Sequence, residues 1–161
     1  MGHKLLFTCL FLAALAPRHA HARAASEHEY RVAAAAQALV AVGARYRYGG
    51  SSPETGFDCS GLVAHVYERA WGISLPRRTR EQRRVGHPVK LAQLEPGDLV
   101  FYNTRHRPYS HVGIYLGGGN FVHAPRSGQR VRVESINSRY WRARFNGARR
   151  LDPPADQSLR L

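Results

Sequence analysis

The sequence predicts an α+β domain in which N-terminal helices pack on an antiparallel sheet. Three observations carry that expectation. Apolar residues recur at helical spacing through the first half of the chain. Short alternating or fully apolar runs, separated by glycine turns, fill the second half. Helices followed by strands, with no internal repeat, argue for segregated layers around one core. With 161 residues and 43% apolar residues, the chain is long enough for one globular domain. The same arithmetic excludes a disordered tail, a collagen-like chain and a multi-domain enzyme.

The elements follow in order. Residues 23–33 are polar or alanine-rich and are expected to be a loose N-terminal segment before a domain spanning residues 34–151. Within this region Ala33 to Val42 carries Val32, Leu39 and Val42 at helical spacing, with Gly43 as the stop. Tyr46 to Pro53 has loop chemistry. Asp58 is a good N-cap for a second helix, in which Leu62, Val63, Val66, Tyr67 and Ala70 recur at three and four, with Gly72 ending it. Residues 76–90 read as an arginine-rich loop with a short helix at Thr79 to Arg84. Four strands are expected at Asp98–Tyr102, His111–Leu116, Asn120–His123 and Val131–Glu134, then a helical turn at Arg139 to Phe145. Residues 152–161, with two prolines, form a flexible tail.

Residues 1–22 read as a secretory signal peptide. Lys4 supplies the positive start, Leu5 to Ala16 the apolar stretch, and Ala20-His21-Ala22 a small-residue cleavage site. The run is shorter than the ~20 residues of a membrane span, so no integral span is expected after cleavage. Cys9 lies inside the run and leaves with it. The full chain has 24 Lys+Arg against 11 Asp+Glu, a formal charge of +13. Without Lys4 and Arg18 it is about +11. A basic protein exported to the periplasm or outside the cell meets an anionic cell wall, rather than nucleic acid. The chain is expected to act as a monomer.

Export leaves Cys59 as a lone thiol. Behind an Asp58 cap it sits in the first turn of a helix, where unpaired N–H groups favour a thiolate. Most free cysteines are small buried hydrophobes, but an unpaired thiol outside the cytoplasm is a liability unless it is used. A nucleophilic cysteine needs a base. His28, His65, His87 and His106 are placed in loose, helical or loop positions that do not suit that task. His111 and His123 open and close one hairpin. If Gly117 to Gly119 is a three-residue loop, Leu116 faces Asn120, His123 faces Gly113, and His111 is its diagonal neighbour on the same face. A two-residue loop would put the histidines on opposite faces. Gly113 leaves room beside His123.

Two chemistries use a cysteine and two histidines. In a thiol hydrolase Cys59 attacks, His111 takes its proton and His123 orients His111. In a zinc site a fourth ligand or water is needed, and neither C-x-x-C nor H-E-x-x-H is present, so no metal is expected.

Tyr46-Arg47-Tyr48-Gly49-Gly50, Phe57-Asp58-Cys59-Ser60-Gly61-Leu62-Val63, Leu75-Pro76-Arg77, Pro96-Gly97-Asp98-Leu99-Val100-Phe101, His111-Val112-Gly113-Ile114-Tyr115 and Asn120-Phe121-Val122-His123-Ala124 occur in that order. This series resembles the NlpC family of papain-like cell-wall peptidases, and the closing Tyr140-Trp141 with Ala148-Arg149-Arg150 resembles its Spr-type murein endopeptidases. The resemblance implies a papain-like domain that cuts amide bonds in peptidoglycan stem peptides without a cofactor. It implies Cys59 as nucleophile, His111 as base and His123 as the orienting residue. Tyr46, Asp58 and Ser60 match positions that line the substrate site. Its Spr-like ending tilts the expected bond to the diaminopimelate–D-Ala crosslink over D-Glu–diaminopimelate. Arg77, Arg78, Arg80, Arg83 and Arg84 are either contacts to the anionic wall or a solvated loop. A thiol acyl or peptidyl transferase and a non-catalytic wall-binding module are the competing readings.

Overall fold

The computed structural model describes residues 16–104 and 106–154. Residues 1–15 of the expected leader and 155–161 of the expected tail lie outside the described residues. Among the described residues, no helix is long and apolar enough to cross a membrane.

Helix α1 runs over Ala16–Val40, so residues 23–33, expected to be loose, are helical. The reason lies in contacts that composition does not show. Glu27 pairs with Arg23 at 3.0 Å and with Arg31 at 3.4 Å, both at helical spacing. Arg31 reaches on to Glu95 at 3.1 Å, and the Tyr30 carbonyl accepts the Trp71 indole N–H at 2.6 Å. Ala34 and Ala38 are fully buried, and their small side chains let α1 lie close against helix α2, Cys59–Trp71. Asp58 caps α2 and Gly72 ends it in the left-handed region, as expected.

A short pair, β1 (Ser51–Ser52) and β2 (Gly56–Phe57), leads into α2. The main sheet is antiparallel with six strands. It contains β3 (His87–Val89), β4 (Leu99–Tyr102), β5 (His111–Gly117), β6 (Asn120–His123), β7 (Arg132–Ser135) and β8 (Phe145–Arg150), ordered β3-β8-β4-β5-β6-β7. Short helices α3 (Thr79–Gln82) and α4 (Arg139–Arg142) lie before β3 and β8. The four expected strands are present within a residue or two at their ends. Strands β1, β2, β3 and β8 are additional. Pro88 is tolerated in β3 because that strand is an edge. Strand β8 is poor in β-formers, yet Ala148 is buried and pairs with Val100. Arg150 makes a two-pronged contact with buried Asp98, at 2.9 and 2.8 Å.

The sheet separates two cores. Leu99, Phe101, Val112, Ile114 and Val122 face α1 and α2. Val100, Tyr102, Tyr115 and Phe121 face the other way and pack with Ile136 and Trp141. Period-two alternation therefore sends His111, Gly113 and His123 to the second face.

The β5–β6 turn differs from the expected one. Gly117 pairs with Asn120, so the loop is Gly118-Gly119, both residues with positive φ. On its own this two-residue turn would set the histidines on opposite faces. A bulge between Tyr115 and Gly117 restores the register, and Tyr115 pairs with Phe121 and Ile114 with Val122. The expected face is kept by a different device. Gly113 does not leave open space beside His123, because a Cβ there would meet the Phe121 ring at 2.6 Å and the Val122 carbonyl at 2.7 Å.

Candidate active site

The Asp58 carboxylate organises the start of α2. Its Oδ1 accepts the Gly61 backbone N–H at 2.7 Å and Arg77 at 2.8 Å, and its Oδ2 accepts Gly49 at 2.9 Å and Arg77 at 2.8 Å. Arg77 also donates to Ser60 Oγ at 3.0 Å and to the Gly50 carbonyl at 3.1 Å. Burial by itself would raise the Asp58 carboxyl, but Arg77 and the two backbone N–H groups outweigh it and hold it below the ordinary carboxylate range. Gly61 is small for a structural reason, since a Cβ there would meet the Gly50 carbonyl.

Cys59 follows this cap and is half-buried. Thr79 Oγ1 lies 3.9 Å from its sulfur, and backbone N–H groups of Ser60 and Val112 point to it. The expectation of a thiolate favoured by the helix start is not met in the resting site. Burial pushes the thiol up, the neighbouring Asp58 charge adds to this, and the three hydrogen-bond donors only partly offset it. The physical reason is chiefly burial of the sulfur, to which the capping carboxylate of Asp58 adds a nearby negative charge.

The Val112 contact places the thiol beside the first residues of β5, next to His111 in sequence. His111 and His123 are buried, and His111 Nε2 lies 2.8 Å from His123 Nδ1. Trp141 from α4 stacks on His111, with centroids 5.6 Å apart and planes at 21°, and meets His123 edge-on at 5.0 Å. His123 Nε2 lies 3.0 Å from Glu134 Oε2, which also accepts the Trp141 indole N–H at 2.6 Å. Arg132 pairs with Glu134 Oε1 at 2.7 Å. Glu134 and Trp141 escaped the sequence reading as site residues. The alternation Val131-Arg132-Val133-Glu134 suggests charges pointing to water, yet Arg132 and Glu134 face the histidines and Val133 is 42% exposed.

Two neighbouring pockets meet at this point. One, of about 530 Å³, is lined by Cys59, Tyr46, Tyr48, Asp58, Ser60 and Arg77, with Arg78, Arg80 and Arg107 also on its walls. The other, of about 560 Å³, is lined by His111, His123, Arg126, Arg132, Glu134 and Trp141, among others. The strand start joins them, with Ser110 in the first and His111 in the second. The first pocket collects all three residues that sequence resemblance assigns to substrate, and the second collects both histidines. Of the arginine-rich run, Arg77 is committed to Asp58, Arg83 covers the Tyr109 ring at 4.8 Å, and Arg78 and Arg80 reach the pocket wall. Among the described residues, no group of three or more His, Cys, Asp or Glu side chains is placed to hold a metal ion.

A capped cysteine at a helix start, set against a strand that carries a paired histidine, is the arrangement of a papain-like site. Comparison with known proteins gives the same grouping, for residues 43–150 match the model of the NlpC/P60 family. The chain belongs to the NlpC/P60 family. Among curated NlpC/P60 relatives, it is 44% identical to the murein DD-endopeptidase MepH of Escherichia coli strain K12, over 70% of this chain and 43% of that protein. It is also 44% identical to the murein DD-endopeptidase/LD-carboxypeptidase MepS of the same strain, over 68% of this chain and 56% of that one. The chain thus spans about half the length of these relatives. An NlpC/P60 family protein from Bacillus cereus superposes with a TM-score of 0.70 at 32% identity, covering 76% of this chain and 40% of that one. The NlpC/P60 domain of the peptidoglycan hydrolase SagA superposes at 0.66 and 36% identity, covering 75% and 98%. The α+β layers with their antiparallel sheet are thereby those of the papain-like NlpC/P60 domain.

Proposed function

We propose that this protein is a cysteine endopeptidase that hydrolyses amide bonds in peptidoglycan stem peptides, with Cys59 as nucleophile, His111 as base and His123 as the residue that orients it. The observation that carries this reading is the seat of the thiol. Cys59 receives the Val112 N–H at the start of β5, and the adjacent His111 is held 2.8 Å from His123. A thiol pushed up by burial gains most from a base at the moment of attack. His111 takes the Cys59 proton as sulfur adds to the carbonyl carbon. Backbone N–H groups at the start of α2, with Tyr46, hold the oxyanion. Protonated His111 gives its proton to the leaving amine, and the C–N bond breaks to leave an acyl-enzyme. Water, deprotonated by His111, then releases the acid and the free thiol.

Within this scheme the acyl side of the substrate occupies the Cys59 pocket, where Tyr46 and the Asp58–Ser60 wall meet it, and the amine side occupies the histidine pocket. The working domain includes the part of α1 after residue 22, docked on the core through Tyr30 and Arg31, runs to residue 151, and acts without a cofactor and as a monomer. Removal of residues 1–22 delivers it to the periplasm or the exterior.

The bond favoured is the diaminopimelate–D-Ala crosslink. In the crosslink, the carbon bearing the leaving amine carries a free carboxylate. In the D-Glu–diaminopimelate bond the corresponding carboxyl is tied up as an amide. Arg126 on the wall of the histidine pocket, with no ion pair among the described residues, suits the free carboxylate. Digestion of purified muropeptides, read by mass spectrometry, tests both levels. Crosslinked dimers should become monomers with wild type and remain intact with Cys59→Ala. Release of fragments ending in D-Glu instead would overturn the bond assignment and leave the hydrolase. Transfer of the acyl group to an added amine in preference to water would replace hydrolase by transferase.

A further inference from the structure

We propose that Glu134 is a positioning residue that holds a proton on Nε2 of both histidines, so that Nδ1 of His111 is the atom that accepts the Cys59 proton. The inference deepens the hydrolase reading and rests on it for its effect on rate.

The argument starts from the 2.8 Å separation of His111 Nε2 and His123 Nδ1. At that distance one nitrogen carries the hydrogen and the other offers a lone pair. The two rings alone do not decide which. Glu134 decides it. Its carboxylate takes donors from Trp141 at 2.6 Å and Arg132 at 2.7 Å, as well as facing His123 Nε2 at 3.0 Å. His123, Trp141 and Arg132 hold the acid down at about 2, against the opposing effect of burial, so it is ionised throughout the working range. An ionised carboxylate only accepts, so His123 Nε2 must donate. Burial of His123 disfavours its charged form more strongly than Glu134 favours it, so the ring rests neutral. Its Nδ1 is then a lone pair, and His111 Nε2 must donate to it. The remaining ring nitrogen of His111 is the basic one.

Without the carboxylate, His123 can carry its proton on Nδ1 instead. It would then donate to His111 Nε2 and move the His111 proton to Nδ1, where the thiol needs a lone pair. The carboxylate has a second effect. When His111 becomes an imidazolium, the negative charge beyond His123 stabilises it. The titratable and charged groups around the pair are Cys59 from α2, Tyr102 from β4, Arg126 after β6, Arg132 and Glu134 from β7, and Tyr140 from α4.

Nitrogen-15 NMR of the ring nitrogens tests the proton assignment, in a Cys59→Ala background where no thiolate contributes. His111 should be the Nε2–H tautomer, and adding Glu134→Leu should bring in the Nδ1–H form. An unchanged His111 tautomer in a folded Glu134→Leu protein overturns the proposal. In the enzyme with Cys59 intact, Glu134→Leu should lower kcat by about 10–100-fold with KM little changed. Glu134→Gln should keep most of kcat, because Trp141 directs its amide oxygen to His123. The acid limb of its pH profile, set by protonation of the resting His111 base, should move to lower pH, because the charge that favours the imidazolium is gone. If Glu134→Leu does not fold, this limb decides, and an unmoved limb overturns the proposal. If wild type cuts no stem peptide, the hydrolase reading falls while the tautomer measurement still answers for Glu134.

Discussion

Gly113 and Phe121 are in near-contact across the β5–β6 pair, and the absence of a side chain at Gly113 is what lets the Phe121 ring lie there. A Cβ at residue 113 would come 2.6 Å from Phe121 Cδ2 and 2.7 Å from the Val122 carbonyl, distances that real Cβ atoms do not show. The missing methyl group lets the ladder of β5 and β6, which carry His111 and His123, close at this point without a clash.

Gly113→Ala should therefore force β5 and β6 apart. We expect a stability loss of about 1–3 kcal/mol, typical of overpacking. Activity should fall by more than the folded fraction explains, because the 2.8 Å histidine contact must lengthen. Denaturant melts together with kcat measured well below the midpoint check this. Wild-type kcat in a folded variant would disconnect the strand spacing from catalysis.

The histidines should differ in how much change they tolerate. His123→Asn or Gln should retain appreciable activity, since the amide oxygen still accepts from His111. His123→Ala should lose more, and leaves the Glu134 and Trp141 contacts unfilled. Any His111 substitution should cost on the order of 10²–10⁴-fold in kcat, the usual share of a general base. Steady-state rates for the four variants give the order. A His123→Ala enzyme equal to wild type would reduce His123 to an ordinary strand residue.

Arg77→Ala should slow alkylation of Cys59. Arg77 balances the Asp58 charge, and that charge already pushes the thiol up. Left uncompensated, it should push the thiol further, so the rate of iodoacetamide labelling at pH 8 should drop. Stability should fall as well, by about 1 kcal/mol, since the guanidinium is partly exposed. Faster labelling in the variant would show that Arg77 shields the sulfur more than it tunes it.

Acid stability offers a separate check on Glu134. Its carboxyl lies at about 2 in the fold against 4.5 for an ordinary glutamate. A depressed acid contributes stability that is complete above the unfolded value and is lost as pH falls through the folded one. The Tm advantage of wild type over Glu134→Gln should hold above pH 5 and shrink steadily between pH 4.5 and 2. A constant gap across that window would mean that the carboxylate is not held by its three donors.

Binding of the Cys59→Ala variant to isolated sacculi should weaken with salt. The full chain has a formal charge of +13, and Arg78, Arg80 and Arg107 stand exposed on the wall of the Cys59 pocket. Such contacts act over about 10 Å at 0.1 M salt and shorter distances above it. Pull-down at low and high salt measures the effect, and replacing the three arginines by Gln should flatten it. Binding that ignores salt would assign these arginines to solubility.

Much of this protein is legible in the order of its residues. Local rules act through neighbours in sequence, and they suffice for the Asp58 cap, the Gly72 stop, the four apolar strands and the assignment of Cys59 to a helix start. The ordered motif blocks suffice for the family. Other features depend on partners far along the chain. Residues 23–33 are helical because Arg31 and Tyr30 find Glu95 and Trp71. Strand β8 depends on distant partners, pairing with β3 and β4, burying Ala148 against Val100 and tying Arg150 to Asp98. The histidines share a face because a bulge at Tyr115–Gly117 offsets a turn one residue shorter than composition suggests. Glu134 enters the site because the edge strand turns its charged face inward, where His123, Trp141 and Arg132 outweigh the cost of placing a carboxylate beside buried rings. Hydrophobic patterning points that residue outward. Electrostatic pairing, which needs the folded neighbours to be present, points it in.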